Sequence, residues 1–201
     1  EISECLVGSE MCIRDRCNDD NGPSFHYEVV SDGAFIVNSG NMYSSIDGSL
    51  TGINYASNVA VQKVFAANNG GQSLGSTPND GLVYGDKMYV VVDGSNTVEV
   101  INKKTMQRIK QIKTTELLGA AEGKSPRHII AGNGHIFFTT YGGYVAAVDT
   151  VNFKLTAKYK VGSYPEGLAG YASSIVVANS DYAKGHGNIS IINLGTGEVE
   201  T

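Results

Sequence analysis

The stretch PNDGLVYGDKMYVVVDGSNTVEVINKKTMQRIKQIK, residues 78–113, decides the fold because its pattern returns twice further along the chain. The second copy is PRHIIAGNGHIFFTTYGGYVAAVDTVNFKLTAKYKVG, residues 126–162, and the third is PEGLAGYASSIVVANSDYAKGHGNISIINLGTGEVET, residues 165–201. Each copy begins with proline. Similarity of a sequence to itself at a regular spacing indicates a repeat architecture, in which each copy is one structural unit.

Two further positions keep the three copies in register. An apolar residue stands ten places after each proline, at Met88, Ile136 and Ile175. Later in each copy an Asn or Asp is followed three places on by a small polar residue, in the pairs Asn102 and Thr105, Asp149 and Asn152, and Asn193 and Thr196. Asn and Asp favour turns, so each pair predicts a turn at the same point of the repeat.

Each copy reads as four short strands. In the first copy, alternating or Val-rich segments at residues 81–84, 87–92, 97–101 and 106–113 are separated by turn formers such as Gly85-Asp86. Four strands in a unit of about 40 to 48 residues are the signature of a β-propeller blade. The sequence therefore predicts an all-β propeller.

An earlier unit, from Gly33 to about Ala67, predicts a fourth and less regular blade. A Gly- and Asn-rich loop at residues 68–76 follows it. We expect one helix, over residues 114–122, as an insertion between blades. The expected architecture is thus about four four-stranded blades.

The composition excludes two classes of protein. The 15 Lys and Arg against 20 Asp and Glu give a formal charge of −5, which argues against a general nucleic-acid binder. No stretch approaches the roughly 18 consecutive apolar residues of a membrane-spanning helix. We therefore expect no nucleic-acid partner, and membrane association only through a lipid anchor.

The first residues differ in character from the repeats. Cys5, Cys12 and Cys17 are the three cysteines of the chain, and their spacing matches no zinc pattern. Residues 5–16, CLVGSEMCIRDR, resemble a translated sequencing adapter of the kind found before metagenomic proteins. We therefore interpret residues 1–16 as a non-native segment and exclude them from the fold.

Cys17 opens a short acidic segment that contains Gly and Pro, over residues 17–24. A lone cysteine before such a tether is typical of a mature bacterial lipoprotein, so Cys17 is the candidate lipidation site; the alternative is an ordinary surface cysteine. The absence of cysteine from residue 18 onward suits an oxidising compartment. Residues 25–201 are then the partial propeller domain.

Five segments carry a family resemblance: Phe35-Ile-Val-Asn-Ser-Gly-Asn41, Lys87-Met-Tyr-Val-Val-Val, Ser95-Asn-Thr-Val-Glu-Val-Ile-Asn102, Tyr164-Pro-Glu-Gly167 and Ser174-Ile-Val-Val-Ala-Asn-Ser180. Together they resemble the YncE-like β-propeller lipoproteins of Gram-negative envelopes. The resemblance implies a ring of about seven blades, so we expect a truncated ring. It also implies a cell-envelope protein, outer-membrane-anchored or periplasmic. Relatives that hand cobalamin to an outer-membrane transporter make a corrinoid one candidate ligand and such a transporter one candidate partner.

A candidate ligand-binding face follows from the strand order. Loops that lead into a blade's first strand and loops that join its second and third strands open on the same side, because antiparallel neighbours alternate in direction. The first set carries Asn79, Asp80, Arg127, His128 and Glu166, and the second carries Tyr141, Asp181, Tyr182 and His186. The competing interpretation is that these residues are polar because loops are polar.

Two functions remain. We expect a non-catalytic binding module that captures a small ligand or docks a partner protein, with no catalytic residue, metal or cofactor. The alternative is a metal-dependent, lactonase-like hydrolase with Asn79, Asp80 and Glu166 as ligands. The chain has no G-x-S-x-G nucleophile motif and no H-x-x-H pair, which favours the binding module.

Overall fold

A computed structural model describes residues 33–201. The adapter-like segment 1–16, the tether 17–24 and Cys17 lie outside the described residues, and their interpretation stays a prediction. No helix within residues 33–201 is both long and apolar enough to cross a membrane.

Four antiparallel sheets follow one another along the chain. The first contains β1 (Gly33–Asn38), β2 (Ser49–Asn54) and β3 (Val59–Val61). The second contains β4 (Pro78–Tyr84), β5 (Lys87–Val92), β6 (Thr97–Asn102) and β7 (Arg108–Lys113). The third contains β8 (Pro126–Gly132), β9 (His135–Thr140), β10 (Tyr144–Asp149) and β11 (Leu155–Lys160). The fourth contains β12 (Pro165–Tyr171), β13 (Ser174–Asn179), β14 (Asn188–Asn193) and β15 (Val199–Glu200).

Each strand pairs with the next one in sequence, as in a propeller blade. The first strands β4, β8 and β12 are neighbours in space, so they form the inner edges of the blades. The predicted all-β propeller is confirmed. We call the four sheets the first to fourth blades.

The three described strands of the first blade correspond to the second, third and fourth strands of the other blades. β1 lies against β4, as β5 lies against β8 and β9 against β12. β2 ends at Asn54, whose Oδ1 accepts a hydrogen bond from the backbone N–H of Ser57, three residues on. That turn has the same geometry as the turns after the third strands of the later blades.

Those later turns bear out the pattern of paired polar residues. Asn102 Oδ1 accepts from the backbone N–H of Lys104 and of Thr105, each at 3.0 Å. Asp149 and Asn193 make the same pair of bonds in the third and fourth blades. These bonds give the backbone a local partner at the point where the chain leaves the third strand. The backbone N–H groups also lower the pKa of Asp149, because they stabilise its charged form.

The apolar cores lie between blades. One core joins the second blade to the third through Tyr89, Val91, Phe138 and Val148, with partners on both sheets. Equivalent cores join the first blade to the second and the third to the fourth. Met88, Ile136 and Ile175, which the repeat pattern singled out, are 2%, 0% and 0% exposed. Burial between successive units is the expected source of stability in a repeat protein.

The fourth blade keeps one apolar face in solvent. Ile189 and Ile191 are 58% and 43% exposed, whereas the corresponding Val98 and Val100 of the second blade are fully buried against the third. Residues 33–201 contain no sheet that covers this face.

Two short α-helices and one 3-10 turn, Met42–Ser44, accompany the strands within residues 33–201. α1 (Val64–Asn68) follows the first blade, where no helix was predicted, and α2 (Thr114–Leu118) is shorter than predicted. α1 is fixed by tertiary contacts: Phe65 is 1% exposed, and the adjoining Asn69 donates to the backbone oxygen of Met106 at 2.7 Å. A helix of five residues is marginal by itself, so packing on the second blade explains why the sequence pattern missed it.

One carboxylate is buried inside the second blade. Glu99 on β6 is 0% exposed, and it accepts hydrogen bonds from Arg108 Nε and Gln111 Nε2, both at 2.6 Å. Arg108 continues the network to Gln72 and lies over the ring of Phe65, 5.1 Å from its centroid. This network therefore links the outer strand β7 to the α1 region.

Candidate functional site

The residue before each blade-starting proline has a left-handed backbone. Thr77, Ser125 and Tyr164 have φ values of 56°, 53° and 50°. Their carbonyl oxygens accept from the N–H of Asp93, Tyr141 and Ser180 at 3.0, 3.1 and 3.0 Å. Positive φ is uncommon for such residues. Here it brings the start of each first strand beside the loop that joins the second and third strands.

The residues after the prolines lie in strands rather than in loops. The sequence placed Asn79, Asp80, Arg127, His128 and Glu166 in loops, but they belong to β4, β8 and β12. The register shifts just after Pro78, Pro126 and Pro165, as expected for β-bulges. A bulge re-aims side chains and is common next to functional sites. The bulges thus turn these polar side chains toward the neighbouring blades.

Arg127 is the centre of a polar network that joins three blades. Its Nη1 donates to Asp93 Oδ2 of the second blade at 2.6 Å, and its Nε donates to Glu166 Oε2 of the fourth blade at 3.0 Å. Burial alone would lower the pKa of Arg127, but the hydrogen bonds to Glu166 and Asp93 outweigh it and raise the pKa. Arg127 is therefore a permanent cation held between two carboxylates.

Tyr141 completes this group, which we call the channel-mouth network: Asp93, Arg127, Tyr141 and Glu166. The Tyr141 hydroxyl donates to Glu166 Oε1, and the Arg127 guanidinium lies 4.8 Å from the Tyr141 ring centroid. Burial, together with the hydrogen bond to Glu166, raises the pKa of Tyr141 to about 12. The hydroxyl is therefore protonated at neutral pH and acts as a donor.

Asn79, Asp80 and His128 extend the polar surface along the inner strands. Asn79 Nδ2 donates to the backbone oxygen of Arg127 at 2.6 Å. Asp80 Oδ2 accepts from the backbone N–H of Ile129 at 3.1 Å and lies 3.3 Å from His128 Nδ1. The other ring nitrogen of His128 is 3.7 Å from Glu166 Oε2. His128 thus bridges carboxylates of the second and fourth blades.

A cluster of tyrosines, Tyr141, Tyr164 and Tyr182, lies beside the network. The ring centroids are 5.2 Å apart for Tyr141 and Tyr164, 4.4 Å for Tyr164 and Tyr182, and 6.4 Å for Tyr141 and Tyr182. Tyr182 is 67% exposed. Its ring therefore presents an open surface to solvent beside two partly buried aromatic neighbours.

The structure does not join the remaining two predicted residues to the network. Asp181 and His186 lie in the loop 180–187, where Asp181 has a φ of 38° and its backbone oxygen accepts from Lys184 and Gly185. Within residues 33–201, no side-chain hydrogen bond links Asp181 or His186 to the channel-mouth network. Their part in a binding face stays a prediction.

The loop at residues 93–96 belongs to the predicted face, but neither its Asp93 nor Tyr164 was among the candidate residues chosen from the sequence. Asp93 stands fifteen places after Pro78, as Tyr141 stands fifteen places after Pro126, so the repeat register carried a signal for it. Tyr164 directly precedes Pro165, which put it next to a predicted site residue. Asp93 and Tyr141 lie in loops between the second and third strands, and each contacts the first strand of the next blade. The sequence pattern within one blade does not show such contacts between blades.

The residues that a metal-dependent hydrolase would use already have protein partners. Asn79 donates to a backbone oxygen, Asp80 accepts from a backbone N–H, and Glu166 accepts from Arg127 and Tyr141. Within residues 33–201, no group of three or more His, Cys, Asp or Glu side chains is placed to hold a metal ion.

Replacement of Arg127 by alanine is expected to lower the free energy of unfolding by about 2 kcal/mol. Two partly buried carboxylates would lose a charged hydrogen-bond donor, and such bonds contribute about 1.5–3 kcal/mol each when buried, less when partly exposed. Urea unfolding followed by circular dichroism measures this change. The control is Lys113→Ala, because Lys113 forms an exposed ion pair with Glu116 and its loss should cost less than about 0.5 kcal/mol. Equal losses in the two variants would show that the network does not join the blades.

Consecutive antiparallel blades, three with four strands and one with three described strands, whose first strands β4, β8 and β12 lie side by side, define the class of this protein as a β-propeller. The profile of a family described as Domain of unknown function (DUF5074) matches residues 32–200. The chain belongs to this family.

Solved structures support the fold at low sequence identity. Hydrazine synthase from Kuenenia stuttgartiensis matches with a TM-score of 0.62 and 16% identity, over 76% of this chain and 42% of that chain. The dihydro-heme d1 dehydrogenase NirN matches with a TM-score of 0.61 and 9% identity, over 88% of this chain and 36% of that chain. BamB from Moraxella catarrhalis matches with a TM-score of 0.55 and 15% identity, over 85% of this chain and 45% of that chain.

The chain spans less than half the length of these three proteins. At these identities the likeness concerns the fold alone, since one fold hosts many functions. No curated protein matches the sequence.

Proposed function

We propose that this chain is a non-catalytic binding module whose ligand or partner contacts the channel-mouth face. The observation that carries the proposal is the exposed ring of Tyr182, whose centroid lies 4.4 Å from that of Tyr164 with the two ring planes tilted by 59°. Tyr182 lies on a loop of eight residues, 180–187, whereas the corresponding loops of the second and third blades are residues 93–96 and 141–143. Aromatic side chains with one open face are enriched where proteins bind partners.

The polar groups below this ring favour binding over catalysis. Arg127 and Tyr141 both donate hydrogen bonds to Glu166, and Arg127 also donates to Asp93. These bonds occupy the groups that an acid or base catalyst would need free to exchange a proton with a substrate. A satisfied network of this kind holds the neighbouring rings and loops in place before a ligand arrives. Such preorganisation lowers the entropic cost of binding.

We extend the proposal to the cell envelope of a Gram-negative bacterium. Its support is the lipoprotein-like Cys17 with the following tether, and the YncE-like segments of the blades. In this setting the propeller is tethered to the outer membrane through Cys17 and hands its ligand to an envelope partner. The resemblance makes a corrinoid the first ligand to test and an outer-membrane transporter the first partner.

Equilibrium dialysis of cyanocobalamin against the chain tests this proposal. Tyr182→Ala is expected to weaken binding about tenfold, which corresponds to about 1.4 kcal/mol of lost contact. The control is Tyr171→Ala, since Tyr171 is 74% exposed and lies at the other end of the blade. Equal weakening by both substitutions would place the ligand elsewhere, and no binding by the unmodified chain would overturn the corrinoid assignment.

A further inference from the structure

A pocket of about 440 Å³ lies between the first blade and the segment that connects it to the second, apart from the channel-mouth network. It opens between the loop 39–48, helix α1 and the segment 69–75. Its size falls within the range of about 300–1,000 Å³ that is usual for small-molecule sites.

The walls of this pocket are fixed by hydrogen bonds. Gly48 N–H donates to the backbone oxygen of Gly75 at 2.8 Å, and Ser73 Oγ donates to Asp47 Oδ2 at 2.7 Å. The loop itself is closed by reciprocal backbone bonds between Asn41 and Ile46 at 2.8 and 2.9 Å. The pocket is therefore formed in advance rather than by a ligand.

The floor of the pocket is apolar. Phe65 and Leu74, each 1% exposed, belong to the core between the first two blades and also line the pocket. Ile46 forms part of the wall and is 58% exposed. An apolar group placed here would cover the exposed surface of Ile46, which is favourable, whereas Phe65 and Leu74 are already almost fully buried beneath it.

Two charges of opposite sign line the same pocket. Asp47 is held in one orientation by Ser73, which engages only its Oδ2 atom. Lys63 stands just before α1 and is exposed; within residues 33–201 it forms no ion pair. A ligand with an ammonium and a carboxylate group can therefore meet both charges while its body covers Ile46.

We propose that this pocket is a second binding site, and that it takes a small zwitterion with an apolar side chain, the chemistry of a free apolar amino acid. Asp47 accepts a hydrogen bond from the ammonium group, and Lys63 pairs with the carboxylate. The apolar side chain packs on Ile46. The site does not depend on the channel-mouth function, because it uses different residues and different blades.

Isothermal titration calorimetry of the chain tests the inference with L-phenylalanine as the zwitterionic probe. Phenethylamine carries the ammonium group alone, and 3-phenylpropionate carries the carboxylate alone. L-phenylalanine is expected to bind, and each single-charge analogue to bind at least about tenfold more weakly, since each lacks one of the two charged contacts. An analogue that bound as tightly as L-phenylalanine would overturn the zwitterion assignment.

Matched variants locate the site. Asp47→Asn should weaken L-phenylalanine and phenethylamine, and Lys63→Gln should weaken L-phenylalanine and 3-phenylpropionate, each about tenfold. Ala66→Phe should abolish binding of all three probes by filling the pocket, while circular dichroism verifies that the variant is folded. Lys104→Gln, on a distant turn, and Tyr182→Ala, at the channel mouth, should leave binding unchanged. No binding by the unmodified chain, or binding that survives Ala66→Phe, would overturn the inference.

Discussion

Replacement of Glu99 by alanine is expected to lower the free energy of unfolding by about 3–5 kcal/mol, the usual cost of removing one partner of a buried ion pair. Glu99 is completely buried, and its loss would leave the guanidinium of Arg108 and the amide of Gln111 without their acceptor. The Arg108 contacts to Gln72 and Phe65 would weaken as well, since the guanidinium would lose its anchor. Urea unfolding measures the change.

Two further variants make this result specific. Glu116→Ala removes an exposed carboxylate that pairs with Lys113, and it should cost less than about 0.5 kcal/mol. The double substitution Glu99→Leu with Arg108→Met should recover most of the loss, because an apolar pair of similar size needs no charged partner. Failure of the double substitution to recover stability would mean that the hydrogen bonds of the Glu99 carboxylate contribute more than apolar packing of similar volume can replace.

Replacement of Phe138 by alanine is expected to lower the free energy of unfolding by about 3–5 kcal/mol. Phe138 on β9 is 0% exposed and lies in the core between the second and third blades, together with Tyr89 and Ile136. The change removes a whole ring and leaves a cavity between two rigid sheets, which can relax only partly.

The controls for Phe138 test whether the blades are truly packed there. Phe138→Leu keeps most of the volume and should cost less than half as much as Phe138→Ala. Val151→Ala, at a residue that is 74% exposed, should change stability by less than about 0.5 kcal/mol. If Phe138→Ala were as mild as Val151→Ala, the second and third blades would not share a core.

The blade pattern could be predicted from the sequence because its determinants are local. Alternating residues define strands such as β6, and the Asn or Asp after each third strand makes its hydrogen bonds within three residues. The prolines mark the first strand of three blades. These signals depend on neighbours in sequence, so no knowledge of distant contacts was needed.

The contacts between blades could not be predicted in the same way. Arg127 pairs with Asp93, 34 positions earlier, and with Glu166, 39 positions later. The buried partnership of Glu99 and the docking of α1 are likewise set by packing, since Glu99 alternates with apolar residues and reads as an exposed strand position. The bulges that direct Arg127 and Glu166 toward neighbouring blades are visible only once the strands are paired, as register shifts after Pro126 and Pro165. Most residues of the site could therefore be predicted from the sequence, but the contacts between them could not.

The claim that the channel-mouth face is the binding surface is tested most directly by hydrogen–deuterium exchange of the chain with and without cyanocobalamin. We predict slower exchange in the loop 180–187 and in residues 164–166, because a ligand on Tyr182 would restrict both segments. The turns at residues 103–106 and 150–153, on the opposite side of the blades, should be unchanged. Slowing at those turns, with no change in the loop 180–187, would contradict the proposed binding face.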